Sequence, residues 1–400
     1  MTKATHETPI VLAAPVRTPI GKFGGALASL SAPDLGTAAG LACLERAALE
    51  PAAIDQVIYG HGRQAGAGPN TARQIAYRCE VPVERPAFTV NQACGSGLQA
   101  VFCAARAIRL GEAKVVLAGG TESMSNTPYM LPRARWGYRL GHDEVIDGMY
   151  RDGFNDPLSQ LVMGETAEEL AEEAGIDRQA ADAYAARSQQ RCENARQTDR
   201  FQSEIVPVTV SSRRGDTVVE LDEHPRDGVR AESLAKLPTV FREGGTVTPG
   251  NASGITDGAA ALIVASETAA RDLGLEIMAR LVDWQVVGVE PRIMGIGPVP
   301  ATRQLLERQG LGFDDIDLVE LNEAFASQAL ACLAELPFDQ EIVNPDGGAI
   351  ALGHPIGCTA ARILVTLLHG LHQRQLDRGI ATLCVSGGLG IAALVEMESA

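Results

Sequence analysis

No stretch of about eighteen consecutive apolar residues occurs in the 400-residue chain, so the sequence offers no membrane span. The N-terminal "MTKATHETPIVLAAPVRTPIG" holds only a short apolar piece, broken by Pro15 and Pro19, and reads as a first strand rather than a signal peptide. The C-terminal "EMESA" carries no retention or peroxisomal tripeptide. These absences point to a cytoplasmic protein with no membrane partner. There is no Cys-x-x-Cys pair. The eight cysteines (Cys43, Cys79, Cys94, Cys103, Cys192, Cys332, Cys358 and Cys384) are scattered, which argues against a disulfide framework and a zinc site, and no metal is expected. Basic residues are in deficit: 34 Lys and Arg against 50 Asp and Glu leave a net charge of −16. Such a surface repels polyanions and makes nucleic acid a poor partner; an anionic ligand would need a local cationic patch or helix N-termini.

What is present is an alternation of strand and helix patterns. A hydrophobic content of 46% suits a soluble α/β protein, and the length allows two domains or one duplicated core. "PIVLAAPV", "IDQVIYG", "PAFTV" and "AKVVLAGG" read as strands, separated by a helix over "APDLGTAAGLACLERAAL", opened by Asp34 after Pro33, and one over "TARQIAYRC". The alternation resumes near the C-terminus and closes on a hairpin over "RGIATLCVSGGLGIAALVEME". Between the two lies a loop-rich stretch with two polar helices, "AEELAEEAG" and "RQAADAYAARSQQRCENARQ"; long ordered insertions are usually functional. "VVLAGGTESM" and "ATLCVSGGLG" rhyme as strands running into a Gly-Gly turn, and "NPDGGAIALGHPIG" weakly echoes "NQACGSG". The expected organisation is therefore a duplication: residues 1–120 as the first half, 121–250 as an inserted loop domain, 251–275 as the return to the first half, and 276–400 as the second half.

Three glycine-rich corners each hold one reactive side chain. Cys94 in "NQACGSG" sits where a strand turns into an amphipathic helix, and a helix N-terminus favours thiolate. The structural alternative is a small buried residue at a tight turn. His354 in "GGAIALGHPIGC" is flanked by Gly353, Pro355 and Gly357, a rigid turn where packing rarely calls for an imidazole; a histidine near a thiol can take its proton and hold the thiolate as an ion pair. Cys384 in "LCVSGGLG" offers a second thiol, whose unperturbed pKa of about 8.5 suits reversible proton transfer. Asn322 in "ELNEAF" stands at a strand-to-helix corner, as a helix N-cap or as the holder of a water. A dinucleotide-type reading of "GHGRQA" fails, because "GAGPN" interrupts where the helix should start and no acidic residue ends a second strand about 20 positions on.

This constellation resembles the thiolase family, the acyl-CoA:acetyl-CoA C-acyltransferases, most closely its bacterial acetyl-CoA acetyltransferase type. The resemblance covers essentially the whole chain: "RTPIGKFGGAL", "AGAGPNTARQ", "NQACGSG", "AGGTESMS", "MGETAE", "GGTVTPGNASGITDGAAAL", "NEAF", "GGAIALGHPIG" and "CVSGGLG" occur in family order. It implies an α/β thiolase fold whose two duplicated halves form a five-layered α/β/α/β/α core with an inserted, coenzyme A-binding loop domain. It implies reversible Claisen condensation of two acetyl-CoA to acetoacetyl-CoA and CoA, or thiolysis of 3-ketoacyl-CoA, through an acyl-cysteine. In that scheme Cys94 is the nucleophile, His354 activates it, Cys384 moves the α-proton, and Asn322 holds a water that forms one oxyanion hole with His354. The backbone N–H groups of Cys94 and Ser386 form the other.

For coenzyme A the resemblance implies Arg226 near the adenine end, Ser233 and Phe241 along the cofactor, Ser253 on the pantetheine, and Met163, Ala324 and Phe325 near the reactive end. It implies CoA thioesters as substrates, no permanently bound cofactor, acyl-CoA and CoA as partners, and a homodimer or homotetramer. Two departures stand out. Val162-Met163-Gly164 replaces the usual His-Met-Gly, which removes an imidazole beside the pantetheine. Ser386-Gly387-Gly388 replaces three glycines, and a left-handed backbone at 386 would strain a serine. The alternatives are a non-catalytic thiolase-like CoA- or lipid-binding protein, which would typically lose a catalytic cysteine or histidine, and a ketoacyl synthase, which uses a Cys-His-His set where this chain has Cys384.

Overall fold

The computed structural model describes residues 8–213 and 215–398. Strands β1 (Ile10–Arg17), β2 (Gln56–Gly60), β3 (Ala87–Val90), β4 (Val115–Ser123) and β5 (Thr256–Ser266) build one half of a sheet. Strands β6 (Ile277–Gly288), β7 (Leu318–Leu321), β8 (Arg378–Val385) and β9 (Leu389–Met397) build the other. The sheet is ten-stranded, in the order β7-β8-β9-β6-β1-β5-β4-β2-β3, with the short strand Gly21–Lys22 on β5 as its tenth member. The order is palindromic about the β1/β6 pair. In each half two neighbouring pairs are antiparallel (β1–β5 and β5–β4; β6–β9 and β9–β8), followed by a parallel pair (β4–β2; β8–β7). Even the outermost strand has a counterpart: β3 lies parallel to β2, and Val343 makes a parallel bridge to Val319 in β7. The expected duplication is thus present in the pairing itself.

Helices α1 (Ala32–Arg46), α2 (Thr71–Arg78) and α3 (Ser96–Arg109) follow β1, β2 and β3. After α4 (Met163–Glu173) and α5 (Arg178–Gln197), the second half repeats the scheme with α6 (Pro298–Gln309), α7 (Ala326–Glu335) and α8 (Ile356–Arg374). Alternation along the strands sets the layers. On β4, Val116 and Ala118 face the cluster that holds α3 and α8, whereas Val115 and Leu117 face α1 and α2. On β9, Ile391, Ala393 and Val395 join the α3/α8 cluster, and Ala392 and Leu394 face α6 and α7. The layers are α1/α2, half-sheet, α3/α8, half-sheet, α6/α7. Both half-sheets share the central hydrophobic cluster, so α3 and α8 are covered on two sides.

One detail goes beyond the sequence reading and two differ from it. The two sheet layers are one continuous sheet, because β1 and β6 pair antiparallel (Val11 with Arg280, Leu12 with Ala279); this satisfies the backbone of two strands that would otherwise be edges. Helix α1 is capped by Ser31, not opened by Asp34: Asp34 at the third helical position completes a capping box with Ser31. Gly119 and Gly120 lie inside β4 rather than in a turn, since a β-carbon there would strike the Ala260 and Gly357 carbonyl oxygens respectively. Gly387 and Gly388, with φ of 84° and 83°, do turn the chain between β8 and β9.

Residues 124–255 leave the sheet between β4 and β5 and carry α4, α5 and two short hairpins. A buried ion-pair cluster ties this excursion to β1: Arg17 Nε donates to Glu204 at 2.5 Å, and its Nη1 and Nη2 donate to the two carboxylate oxygens of Asp222 at 2.7 and 2.9 Å. All three side chains are fully buried, so removing one would leave an uncompensated charge.

The crossing of α3 and α8 depends on Gly97. A β-carbon there would stand 2.5 Å from the Ala361 backbone nitrogen. Gly97→Ala is therefore expected to cost about 1–3 kcal/mol and lower the thermal midpoint by a few degrees. Gly288→Ala, where nothing lies within 4 Å, should stay within about 0.5 kcal/mol of the parent. Thermal unfolding of both variants checks this; equal midpoints would show that the helix crossing is not the constraint.

Candidate active site

Two helix N-termini meet at the site. Strand β3 leads through Asn91 and Gln92 into a 3₁₀ turn over Ala93–Gly95 and then α3. Ala93 adopts a left-handed backbone (φ 44°), an uncommon conformation for a residue with a side chain. Its N–H donates to Asn91 Oδ1 at 3.0 Å, Asn91 Nδ2 donates to the Gly62 carbonyl at 2.9 Å, and Ser96 Oγ accepts from Gln92 N–H at 2.9 Å while donating to the Ala93 carbonyl at 2.6 Å. These bonds hold Cys94 in the corner. The equivalent turn before α8 is Gly353-His354-Pro355, with Gly353 at φ 100°. Neither α3 nor α8 has a side-chain cap, so their first N–H groups are free for other partners.

His354 Nε2 lies 3.3 Å from Cys94 Sγ. Its Nδ1 lies 2.6 Å from Thr359 Oγ1, which in turn donates to the Pro355 carbonyl at 2.9 Å. A hydroxyl has one proton to give. Having given it to Pro355, Thr359 accepts from Nδ1–H, which leaves Nε2 as the acceptor aimed at the thiol. Burial drives the imidazole down to about 3, helped by the Arg362 and Arg63 charges. Burial also raises the Cys94 thiol, against the opposing pull of Arg63 and of the Ser386 and Cys94 backbone N–H groups directed at the sulfur. The resting pair is therefore neutral thiol and neutral imidazole. Burial thus works against the thiolate that the helix N-terminus favours. Cys384, at the end of β8, is likewise pushed well up by burial and by the neighbouring Cys94 and Cys332 sulfurs, so it is a weaker acid than the free thiol expected.

Cys94, His354, Cys384 and Ser386 line one cavity of about 270 Å³, together with Met163, Phe241, Ser253, Ala324 and Phe325. Ser253 N–H donates to the Ala324 carbonyl at 3.0 Å, joining the excursion to the second half. Val162 also lines the cavity, as the residue preceding α4. Ser386 is not left-handed; Gly387 and Gly388 take that conformation, so the serine brings no such strain. Asn322 is buried and is not among the residues that line this cavity; its side-chain nitrogen and oxygen have no hydrogen-bond partner among the described residues. It is not a helix cap, since α7 begins after Phe325. Arg226 and Ser233 are exposed and do not line this cavity. Arg226 borders a separate small pocket of about 20 Å³ with Gln189 and His224, and the Ser233 hydroxyl donates to the Arg230 carbonyl at 2.6 Å.

Sequence reasoning missed three groups. Glu122, at the end of β4, is fully buried and accepts from Gly62 N–H at 3.2 Å, Arg63 N–H at 3.1 Å and Gly357 N–H at 2.8 Å, with His61 Nε2 at 3.2 Å. These partners hold its carboxyl below the usual range despite burial. Thr359 fixes the histidine tautomer. Arg63 lines the cavity at 7% exposure. The only sequence signal for Arg63 was "GHGRQA", which forms the loop after β2, with α2 starting only at Thr71.

Comparison with known proteins matches the thiolase N-terminal domain over residues 10–268 and the thiolase C-terminal domain over residues 275–397. A Pseudomonas aeruginosa protein named acetyl-CoA acetyltransferase is 48% identical over 390 residues, covering 97% of this chain and 99% of that one. A Cupriavidus necator protein of the same name is 46% identical over 392 residues, covering 98% and 100%. The crystal structure of the Bacillus anthracis acetyl-CoA acetyltransferase superposes with a TM-score of 0.96 at 45% identity, covering 99% of this chain and 100% of that one. Human mitochondrial 3-ketoacyl-CoA thiolase in complex with CoA superposes with a TM-score of 0.94 at 41% identity, covering 98% of each chain.

The neutral resting pair has a measurable consequence. With the thiol raised and the imidazole lowered, the thiolate fraction at Cys94 grows with pH throughout the neutral range. Alkylation of Cys94 by iodoacetamide, followed by peptide mass spectrometry, should accelerate about tenfold per unit between about pH 6 and 8. A plateau across that interval would mean a standing thiolate–imidazolium pair.

Proposed function

The chain belongs to the thiolase family, and on that premise we propose that it interconverts two acetyl-CoA with acetoacetyl-CoA and CoA, and cleaves 3-ketoacyl-CoA thioesters, through an acyl group carried on Cys94. The observation that carries this reading is the 3.3 Å approach of His354 Nε2 to Cys94 Sγ in a cavity that also holds Cys384.

In thiolysis, Cys94 passes its proton to His354 Nε2 as sulfur attacks the 3-keto carbon. The S–C bond forms and the oxygen becomes an alkoxide. The C2–C3 bond then breaks, the acyl group stays on Cys94, and the departing acetyl-CoA enolate takes its proton from Cys384. A CoA thiol then gives its proton to the Cys384 thiolate as its sulfur attacks the acyl-cysteine, the S–C bond to Cys94 breaks, Cys94 recovers its proton from His354, and the reverse sequence is condensation. The high resting pKa of Cys384 supports its role, because it is a reluctant acid but a strong base once ionised, matched to a weakly acidic α-carbon. The Ser386 and Cys94 backbone N–H groups, which already face the sulfur, are the proposed donors to one oxyanion. A water on the unpartnered Asn322 amide, with His354, would serve the other. Donors of this kind typically contribute about 3 kcal/mol each. The cavity wall of Met163, Phe241, Ser253, Ala324 and Phe325 supports coenzyme A entry along the excursion of residues 124–255; Arg226 and Ser233, on its surface, are proposed contacts for the outer part of the cofactor. Retention of both thiols and the histidine disfavours a non-catalytic binding protein.

We further propose a homodimer or homotetramer. Strand β3 ends the sheet with Phe88 exposed, and the excursion exposes Tyr129, Trp136, Leu140 and Val145; exposed apolar surface of this kind marks association. Light scattering at micromolar concentration should give a dimer or larger, and a monomer would count against it.

The division of labour is tested by intact-mass detection of an acetyl adduct after exposure to acetyl-CoA. Cys94→Ala should lose both adduct and turnover. Cys384→Ala should keep the adduct yet lose condensation and thiolysis by several orders of magnitude. His354→Ala should slow both stages. An undiminished adduct in Cys94→Ala, or an adduct on Cys384, would overturn the assignment.

A further inference from the structure

Resting on the thiolase reading above, we infer that Arg63 receives a carboxylate at the far end of the acyl chain, so that the substrates include CoA thioesters of 3-oxo-dicarboxylic acids. Arg63 lines the same cavity as Cys94 and His354 and is 7% exposed. Its guanidinium lies against Gly153, with Cζ 5.1 Å from the centre of the Phe154 ring. Its polar contacts are weak: Nε approaches Met149 Sδ at 3.3 Å, and Nη1 reaches the Asp152 carbonyl at 3.5 Å. Nη2 is buried with no hydrogen-bond partner among the described residues.

Glu122, Asp152 and Asp147 attract the Arg63 charge through space, Glu122 the most, but their carboxylate oxygens are directed elsewhere. Glu122 is taken up by the His61 ring and by three backbone N–H groups, among them that of Arg63 itself. Asp147 accepts from Met149 N–H at 2.8 Å. The Asp152 side chain is 51% exposed, beside Arg151. None of them forms an ion pair with the guanidinium among the described residues. A buried guanidinium with an open donor is costly unless an anion meets it. The nearby cavity wall is largely apolar, with Phe154, Val162 and Ile356, and so suits a hydrocarbon chain. Apolar walls that end in one planar, charged donor match an acyl chain that ends in a carboxylate. In thiolysis the group left on Cys94 would carry that carboxylate. The bond-making and bond-breaking steps are those given above.

Two assays test this. Wild-type protein is exposed to succinyl-CoA and to butyryl-CoA, which have acyl chains of equal carbon number, and the adduct on Cys94 is followed by intact mass. Thiolysis of 3-oxohexanedioyl-CoA and 3-oxohexanoyl-CoA is then compared in wild type, Arg63→Leu and Gly153→Ala. The last variant keeps the arginine but sets a methyl group where its guanidinium lies. Wild type should acylate at least as fast from succinyl-CoA as from butyryl-CoA. The ratio of kcat/KM for the dioyl over the neutral substrate should fall about 10- to 100-fold in Arg63→Leu, and by about tenfold or more in Gly153→Ala. Acylation from butyryl-CoA alone overturns this inference and leaves the thiolase reading standing. Equal losses on both substrates in Arg63→Leu also overturn it, since Arg63 would then act on Cys94 rather than on the chain end. No adduct from either thioester overturns the thiolase reading, and this inference with it.

Discussion

At the centre of the molecule the backbones of α3 and α8 approach until no side chain fits between them, and the catalytic pair depends on that contact. A β-carbon at Gly97 would strike the Ala361 backbone across the α3–α8 crossing; one at Gly357 would stand 2.6 Å from Gly62 N and from the Thr121 carbonyl oxygen, and one at Gly120 would strike the Gly357 carbonyl, where α8 packs on β4 and the loop after β2. Side chains at these positions would push the two N-termini apart. Cys94 and His354 hang from the turns before these helices, so a displacement there opens the 3.3 Å gap between sulfur and nitrogen. Such close packing leaves polar backbone groups without water, and Glu122 supplies the acceptor they need. One buried carboxylate bonds to N–H groups after β2 and at the start of α8. It therefore joins the two duplicated halves by hydrogen bonds at the point where their reactive residues meet.

That same dryness sets the resting chemistry. A helix N-terminus and the Arg63 charge favour thiolate, but burial raises the Cys94 thiol and lowers the His354 imidazole. The proton therefore stays on sulfur until a substrate carbonyl offers the developing charge somewhere to go. Two backbone N–H groups, those of Ser386 and Cys94, face the sulfur before any reaction begins and need no reorganisation as charge forms, whereas His354 Nε2 becomes a donor only once it has taken the thiol proton. A site of this kind is quiet toward adventitious electrophiles and selective for a thioester that places its carbonyl oxygen on those donors.

Much of this was legible in the sequence because glycine, cysteine and histidine at short spacings carry their own reasons. Cys94, His354 and Cys384 were found from glycine-rich corners, and the βα alternation gave the duplicated halves. The rest depended on contacts far apart in the chain. Glu122 reads as an ordinary strand-end acid until β4 brings it to Gly357. Thr359 is one hydroxyl on a helix until its bond to His354 Nδ1 fixes the tautomer. Gly119-Gly120 looked like Gly387-Gly388, yet one pair relieves crowding inside a strand and the other supplies positive φ in a turn. The opposing effect of burial on the thiol was not legible in local sequence, because desolvation is a property of everything packed around it.

The two repeats and the excursion divide the work. Equivalent turns before α3 and α8 carry Cys94 and His354, the proposed nucleophile and base, and β8 adds the second thiol, so the proposed chemistry sits on elements locked to the central layer. The cavity's remaining walls come from the loop after β2 and from residues 124–255, which are held to the core by separate buried contacts such as Arg17 with Glu204 and Asp222. Arg63, Gly153 and Val162 line the cavity away from the Gly97 contact between α3 and α8, so in the reading proposed above they can change what it accepts without disturbing that contact. The geometry that makes and breaks the carbon–carbon bond is fixed by the duplicated core, and the choice of acyl chain is left to side chains that the core does not constrain.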